Sequence, residues 1–195
     1  MKPHRINELD DFICGWYLDD PGICDRLIAY HQNHPAKSAG TVGTKQSSQA
    51  LDKGAKDSID VSLTGDLFVE YNRVLVNVVP KYIERFPMCN HYSPWGVREG
   101  INVQYYQPGG AYFAWHTERT SSLGANATRH LVFMTYLNDV ADGGETEFLH
   151  QELKVQAERG LTLIWPADWT FTHRGVVSPT QEKYIVTGWL NYFNE

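Results

Sequence analysis

The second half of the chain is a succession of short apolar and aromatic runs separated by glycine or polar turns. After Trp95 the spacing of these runs is typical of a β-barrel or β-sandwich. Aromatic residues make up 13% of the chain, and large rings fit the pleated, half-buried surface of a sheet. The predicted strands cover residues 101–106, 111–118, 129–138, 145–149, 161–165, 170–173 and 183–192. We therefore expect the C-terminal half to be a mainly β core that carries the chemistry.

The first half of the chain contains two helical patterns instead. Asp20-Pro21 begins a helix that we predict over residues 20–33, where Cys24, Leu27 and Ile28 form one apolar stripe. A second helical pattern begins at Thr64 and is interrupted at Pro80, because proline lacks the amide hydrogen that continues a helix. These helices are expected to support the β core.

Residues 35–58 contain almost no large apolar side chains, so we predict a mobile loop there. We find no internal repeat and no other segment of biased composition, and 195 residues is a common size for one domain. We therefore predict a single domain over residues 1–195. Residues 1–95 would form helical support and the mobile loop, and residues 96–195 the core.

The charge balance and the cysteine count limit partners and compartment. The formal net charge is −6 and the pI is near 5.7, which disfavours nucleic-acid binding. No apolar stretch predicts a signal peptide or a membrane span. Cys14, Cys24 and Cys89 are an odd number without a close pair, which favours a reducing cytoplasm over a disulfide-stabilised protein.

A candidate metal site begins at the end of the run AYFAWHTE. In a strand, His116 and Glu118 would point to the same face, and His173 at the end of ADWTFTH could supply a third ligand from a neighbouring strand. Two histidines and one carboxylate leave coordination positions open, an arrangement suited to non-haem Fe(II) and oxygen chemistry. The alternative is that these histidines are ordinary hydrogen-bonded side chains.

A candidate anion site lies ten residues further along the chain. In the predicted strand KYIVTGWLNY, period two places Lys183, Ile185, Thr187 and Trp189 on one face. An ammonium and a hydroxyl on an otherwise apolar wall would fit a dicarboxylate. The alternative is a lysine that extends from the strand end into water.

These residues together resemble the iron(II)- and 2-oxoglutarate-dependent oxygenases, specifically the prolyl 4-hydroxylase branch. The resemblance runs from about Asn102 to Tyr192, and its motifs occur in family order: YYQPGGAYFAWHTE, RHLVFMTYLNDVADGGETEF and HRGVVSPTQEKYIVTGWLNY. It implies an α+β fold with a mainly β core, a double-stranded β-helix (jelly-roll, cupin-like) with N-terminal supporting helices.

The resemblance also implies roles for individual residues. His116, Glu118 and His173 resemble the iron ligands, and Lys183 resembles the residue that binds the distal carboxylate of 2-oxoglutarate. Five further positions match residues that line the co-substrate pocket or pack beside the metal: Tyr106, Tyr136, Thr146, Thr187 and Trp189.

Two positions do not follow the family pattern simply. Arg129 matches a substrate-facing position, yet its odd separation from Tyr136 would send the two side chains to opposite faces of a regular strand. Glu118 stands where the family normally has aspartate. The additional methylene requires the side chain to fold back, or the strand to shift, for the carboxylate to reach a metal.

The activity implied by the resemblance is hydroxylation of a C–H bond, with O2 as co-substrate and 2-oxoglutarate converted to succinate and CO2. Ascorbate would restore oxidised iron, as in relatives. The implied substrate is a proline residue in a peptide or protein. Residues 35–58 could form a lid over such a peptide, and a disordered insertion is the alternative. Aromatic side chains expected to be exposed, namely Tyr92, Trp95, Trp165 and Trp169, could stack on a proline ring or could instead belong to core or strand packing.

Three alternatives stay open at this point. The enzyme could act on a free amino acid or another small metabolite. The chain could be a catalytically inactive jelly-roll binding module, which the Glu118 departure favours. It could also be a cupin-type metalloenzyme without 2-oxoglutarate, which would leave Lys183 unexplained. The oligomeric state has no signature in the sequence.

Overall fold

A large antiparallel sheet forms the centre of the computed structural model, which describes residues 1–8, 11–43 and 49–193. With strands numbered in chain order, its spatial order is β1 (Lys2–Pro3), β2 (Cys14–Tyr17), β12 (Leu161–Pro166), β9 (Arg129–Tyr136), β14 (Lys183–Tyr192), β8 (Asn102–Tyr106), β6 (Ile59–Ser62) and β3 (Ser38–Ala39). Strand β7 (Trp95–Val97) also pairs with β14.

A second, smaller sheet faces the main one. It contains β11 (Leu153–Val155), β10 (Thr146–Phe148) and β13 (His173–Gly175), and a separate hairpin pairs β4 (Val42–Gly43) with β5 (Gln49–Ala50). Alternate side chains of β9, including Val132 and Tyr136, point into the apolar interior between the two sheets. Two facing sheets of this kind form a double-stranded β-helix, so the predicted fold class is confirmed.

Two helices cover the other face of the main sheet. These are α1 (Gly22–Asn33) and α2 (Gly65–Arg85), which bury Leu27 and Tyr71 against Phe133 and its neighbours in a second apolar cluster. The sheet thus lies between helices on one side and the jelly-roll interior on the other. In the part of the chain that is described, no helix combines the length and apolar character needed to cross a membrane.

The predicted interruption of the second helix at Pro80 was wrong. Helix α2 continues through Pro80 to Arg85. Proline cannot bond to the carbonyl four residues earlier, at Val76, but Val76 lies on the exposed face of the helix, where water can bond to that group. Beyond the proline, Tyr82 is buried and its hydroxyl donates to the Phe12 carbonyl at 2.9 Å, which holds the last turn in place.

Two of the seven predicted strands were also wrong in part. Residues 111–118 form only isolated bridges, because their backbone groups bond to several different segments rather than to one neighbouring strand. In place of the strand predicted over residues 170–173, a short 3-10 turn occupies Trp169–Phe171, and β13 begins only at His173. The composition of the first 95 residues did not predict β2 and β6, which extend the main sheet on both sides.

Residues 35–58 contain β3, β4 and β5, so the prediction of a loop was wrong for these strands. The part of the prediction that concerns residues 44–48 lies outside the described residues. Further along, Lys56 and Ser58 are buried even though they are polar. Both donate to the carboxylate of Asp60, at 2.8 and 2.7 Å, and this mutual hydrogen bonding compensates for their removal from water.

Candidate metal centre

Three side chains that are distant in sequence meet at the inner end of a cavity in the jelly-roll. His116 forms an isolated backbone bridge with His173 at the start of β13, and Glu118 lies two residues beyond His116. Glu118 Oε1 is 3.6 Å from His116 Nε2 and 3.5 Å from His173 Nε2. One potential ligand atom from each of the three residues lies within 4.8 Å of the other two. These distances leave room for one metal ion between the three atoms.

Both imidazole rings are oriented by backbone carbonyl groups. His116 Nδ1 lies 3.0 Å from the carbonyl oxygen of Ala114, and His173 Nδ1 lies 2.9 Å from that of Phe171. A carbonyl oxygen only accepts, so each Nδ1 must carry the proton of its hydrogen bond. The unprotonated Nε2 atoms therefore face the shared space, as metal-binding histidines do.

The electrostatics favour the protonation states that a metal requires. Burial lowers the pKa of His116 and so favours its neutral form. Burial alone would raise the pKa of Glu118, but the neighbouring His116 and His173 outweigh burial and hold that pKa well below its usual value. The site therefore favours a neutral His116 and an ionised Glu118 at neutral pH.

The second carboxylate oxygen of Glu118 points away from the histidines. Glu118 Oε2 accepts a hydrogen bond of 2.9 Å from Trp189 Nε1 and lies 3.5 Å from an Arg129 nitrogen. The longer side chain is thus accommodated by folding the carboxylate back between the histidine pair and this tryptophan. Trp189 has its indole N–H directed at the candidate ligand, a more specific contact than the packing that the sequence predicted.

Arg129 reaches the cavity because β9 contains a bulge. Asn191 of β14 pairs with Arg129 whereas Leu190 pairs with Leu131, so His130 is an extra residue in the ladder. This extra residue reverses the alternation at the start of the strand. Arg129 therefore lines the same cavity as Tyr136, which a regular strand would not allow.

Lys183 lies deep in this cavity with its ammonium group removed from water. It is 5% exposed, and its hydrogen bond among the described residues goes to the carbonyl oxygen of Gly144 at 3.0 Å. Its nitrogen also lies 5.1 Å from the centre of the Tyr106 ring, to which it is paired across β14 and β8. Burial lowers the pKa of Lys183 to about 8. A bound carboxylate would place a counter-charge directly against the ammonium.

The five other predicted pocket residues line the same cavity of about 650 Å³: Tyr106, Tyr136, Thr146, Thr187 and Trp189. Most of their polar groups are held by neighbours. The Tyr136 hydroxyl donates to Thr146 at 2.6 Å, and the Thr187 hydroxyl donates to the Phe133 carbonyl at 3.2 Å. Since each threonine oxygen retains an acceptor or donor position, the wall near Lys183 is both polar and ordered.

The residues fit the two groups that the resemblance implies. Two Nε2 atoms and one carboxylate oxygen form the donor set of non-haem Fe(II) sites with open positions. The buried ammonium of Lys183, in a cavity that the hydroxyl-bearing Thr146 and Thr187 also line, fits the distal carboxylate of 2-oxoglutarate.

Several residues of the site were not predicted from the sequence. Tyr112 stacks on the His116 ring, with centroids 3.6 Å apart and planes inclined by 6°. Like His116 and Glu118 it has an even residue number, so the alternation of a strand could have placed it on the same face. Gln104, which accepts a hydrogen bond of 2.7 Å from the Tyr106 hydroxyl, follows the same alternation within β8. Glu99 and Lys56, which also line the cavity, lie outside any alternating segment and carried no such signal.

The aromatic side chains suggested for proline stacking have different environments. Trp165 is buried, contrary to the expected exposure, and packs edge-on against His173 at 5.1 Å. Trp95 is half-buried and donates to the Cys89 carbonyl. Tyr92 and Trp169 are exposed on the surface, away from the described lining of the cavity. Of the four, only Trp165 belongs to that lining.

Comparison with known proteins agrees with this geometry. Residues 101–191 match the sequence model of the 2OG-Fe(II) oxygenase superfamily. No curated protein is similar enough in sequence to count as a match.

Solved structures with the same fold include several prolyl hydroxylases. A prolyl hydroxylase from Trichoplax adhaerens, in complex with a hypoxia inducible factor oxygen degradation domain peptide fragment, has a TM-score of 0.72 at 16% identity, covering 96% of this chain and 87% of that one. The viral collagen prolyl hydroxylase of Paramecium Bursaria Chlorella virus-1, as its 2OG complex, has a TM-score of 0.69 at 15% identity, with coverage of 95% and 98%. A Pseudomonas putida prolyl-4-hydroxylase has a TM-score of 0.67 at 14% identity, with coverage of 97% and 97%. Residues 101–191 of this chain are thus similar in sequence to the 2OG-Fe(II) oxygenase superfamily, and the chain has the fold of the prolyl hydroxylases.

Proposed function

We propose that this protein hydroxylates proline residues in peptides, using Fe(II), 2-oxoglutarate and O2. The observation that carries the proposal is that one cavity contains both the three converging donor atoms of His116, Glu118 and His173 and the buried ammonium of Lys183. The overall reaction converts the C–H bond, 2-oxoglutarate and O2 into the alcohol, succinate and CO2. The fold shared with prolyl hydroxylases supports proline as the substrate.

Each residue of the inner cavity has a defined task in this proposal. His116, Glu118 and His173 would hold Fe(II), and Lys183 would bind the distal carboxylate of 2-oxoglutarate, with Thr187 further along the same wall of the cavity. When bound, iron and 2-oxoglutarate together supply the activation of O2. The protein's contribution is to fix the donors in one orientation, which the carbonyl contacts of both histidines achieve.

The walls of the inner cavity exclude water from the reacting groups. Met134, Trp165 and Ile185 are buried and present apolar surface to the cavity. Tyr112 covers one face of the His116 ring. A dry cavity strengthens the attraction between Lys183 and a carboxylate and protects reactive species from side reactions.

The outer part of the cavity has a lining that suits an extended peptide. It lies beside the β4–β5 hairpin, and a side chain at Gly43 would lie within 4.0 Å of both Thr120 and Asn126, so the hairpin closely approaches the opposite rim. The lining here is rich in hydroxyl and amide side chains: Ser38, Thr41, Gln49, Asn102 and Asn126. Such groups can both donate to and accept from the backbone of a peptide.

Anaerobic titration with Fe(II) and 2-oxoglutarate tests whether the inner cavity binds both of them. Chelation of iron by 2-oxoglutarate produces a visible charge-transfer band, and we expect this band in the unaltered protein. His173→Gln should abolish the band, whereas His150→Gln, an exposed histidine outside the cavity lining, should retain it. Absence of the band from the unaltered protein would favour an inactive binding module.

Release of succinate in air tests the substrate. We expect release to increase with a proline-rich peptide, with an oxygen atom incorporated into proline, and to stay at its basal rate with the same peptide carrying alanine at each proline. Stimulation by free proline or another small metabolite, and not by the peptide, would contradict peptidyl-proline hydroxylation while leaving the dioxygenase chemistry in place.

A further inference from the structure

The carboxylate of Glu118 has two oxygen atoms in different environments. Oε1 faces the two histidine Nε2 atoms at 3.6 and 3.5 Å. Oε2 accepts the indole N–H of Trp189 at 2.9 Å and lies 3.5 Å from Arg129. One oxygen is therefore directed at the metal position, and the other is held by the protein.

Arg129 is itself fixed and has few donors left for any other partner. Its Nε and one terminal nitrogen donate to the two oxygens of Glu99 at 2.8 and 2.6 Å, and the other terminal nitrogen donates to the Glu118 backbone carbonyl at 3.0 Å. Its guanidinium lies over the Trp189 ring, 3.6 Å from the ring centre. Asn191 donates to Glu99 Oε1 at 2.8 Å and so holds the Glu99 carboxylate in place. Arg129 thus fixes the indole of Trp189 against Glu118.

A glutamate ligand needs such support more than an aspartate ligand does. Its additional methylene adds one rotatable bond, and fixing that bond for a metal costs conformational entropy. A hydrogen bond to the non-ligating oxygen restricts the torsion before the metal arrives. Hydrogen-bonding partners behind a metal ligand contribute roughly 10- to 100-fold to metal affinity.

We infer that Trp189, with Arg129 and Glu99 behind it, acts as a positioning group that adapts this metal site to a glutamate ligand by holding Glu118 Oε2. The inference rests on the proposed role of Glu118 as a ligand. It assigns Arg129 to the support of the metal site in place of the substrate contact that the sequence implied. Nothing in it requires the enzyme to turn over.

A double-mutant cycle with Mn(II) alone tests this inference. The probe is the affinity for Mn(II), measured from the electron paramagnetic resonance signal of the free ion, in the unaltered protein, Trp189→Phe, Glu118→Asp and the double variant. We expect Trp189→Phe to weaken Mn(II) binding roughly tenfold or more when Glu118 is present. With aspartate at position 118 we expect the same substitution to change the affinity by less than about threefold, because the shorter carboxylate does not reach the indole.

Trp95→Phe is the matched control, since it removes an indole N–H that donates to a backbone carbonyl elsewhere, at 3.0 Å from Cys89 O. Circular dichroism and thermal unfolding of each variant show whether it is folded.

Two results would overturn the inference, and they differ in what they say about the proposed function. Equal losses of affinity from Trp189→Phe in both backgrounds, or no loss in either, would show that the indole does not act through Glu118, while Mn(II) binding by the unaltered protein would leave the proposed function standing. Failure of the unaltered, folded protein to bind Mn(II) would overturn both.

Discussion

Replacement of Lys183 by methionine should make the ligand-free protein more stable while removing its response to 2-oxoglutarate. The pKa of this side chain falls from 10.5 to about 8 because it is buried. At about 1.4 kcal/mol for each pKa unit, holding the ammonium in place costs the fold roughly 3 kcal/mol at pH 7. Methionine has a similar length and carries no charge.

One loss offsets part of this gain. The carbonyl oxygen of Gly144 would no longer receive its hydrogen bond from Lys183 at 3.0 Å, which costs about 1 kcal/mol. We therefore expect Lys183→Met to raise the free energy of unfolding at pH 7 by about 2 kcal/mol. Because the unfolded chain binds the proton more tightly, the stability of the unaltered protein should rise relative to the variant between pH 8 and 10.5.

Urea unfolding measures both effects. In the presence of Mn(II), 2-oxoglutarate at a hundred times its dissociation constant should stabilise the unaltered protein by about 2.7 kcal/mol and leave Lys183→Met unchanged. Lys53→Met is the control, since the Lys53 side chain is 71% exposed and its substitution should affect neither measurement. A variant that is less stable than the unaltered protein at pH 7, or that 2-oxoglutarate still stabilises, would refute this view of Lys183.

Three further outcomes follow from the same structure. The affinity for 2-oxoglutarate, measured calorimetrically with Mn(II), should fall about tenfold for each pH unit above 8 as Lys183 loses its proton, and a constant affinity from pH 7 to 9.5 would contradict this. Tyr71→Phe removes a buried hydroxyl that is hydrogen-bonded to Thr135 at 2.7 Å. This substitution should lower the free energy of unfolding in urea by about 1 to 2 kcal/mol and leave the Mn(II) affinity unchanged. A shift in the Mn(II) affinity would be inconsistent with a purely structural role. Gly143→Ala should lower the free energy of unfolding by at least about 2 kcal/mol in a thermal or urea experiment. The reason is that φ of Gly143 is +76° and the added carbon would lie 2.1 Å from the carbonyl oxygen of Val177. A variant as stable as the unaltered protein would contradict this prediction.

Local alternation predicted which residues of β14 line the cavity because β14 is a regular strand. Lys183, Ile185, Thr187 and Trp189 line the cavity in the structure as period two requires. The register of a long central strand is fixed by neighbours on both sides, so a sequence pattern is sufficient there. The convergence of His116 with Glu118 followed from the same argument, although the segment is held by isolated bridges rather than by a ladder.

Features that depend on irregular backbone or on distant partners could not be predicted in this way. The N-terminal strands β2 and β6 form because an existing sheet offers them an edge, and their own composition gave little signal. Polar residues such as Lys56 and Ser58 are buried because Asp60 accepts their hydrogen bonds, which composition alone cannot reveal.

The position of Arg129 shows how one irregularity connects the fold to the candidate site. A single extra residue, His130, turns Arg129 from the helix-covered face of the sheet into the jelly-roll, where it meets Glu99 and lies over Trp189. The same bulge places His130 against the carbonyl of Cys89, at 2.8 Å, on the opposite side. A regular strand would therefore have put a histidine where the arginine now supports Glu118. Since the separation of Arg129 and Tyr136 is odd, sequence alternation could identify the conflict, but only the paired strand β14 shows that the backbone resolves it.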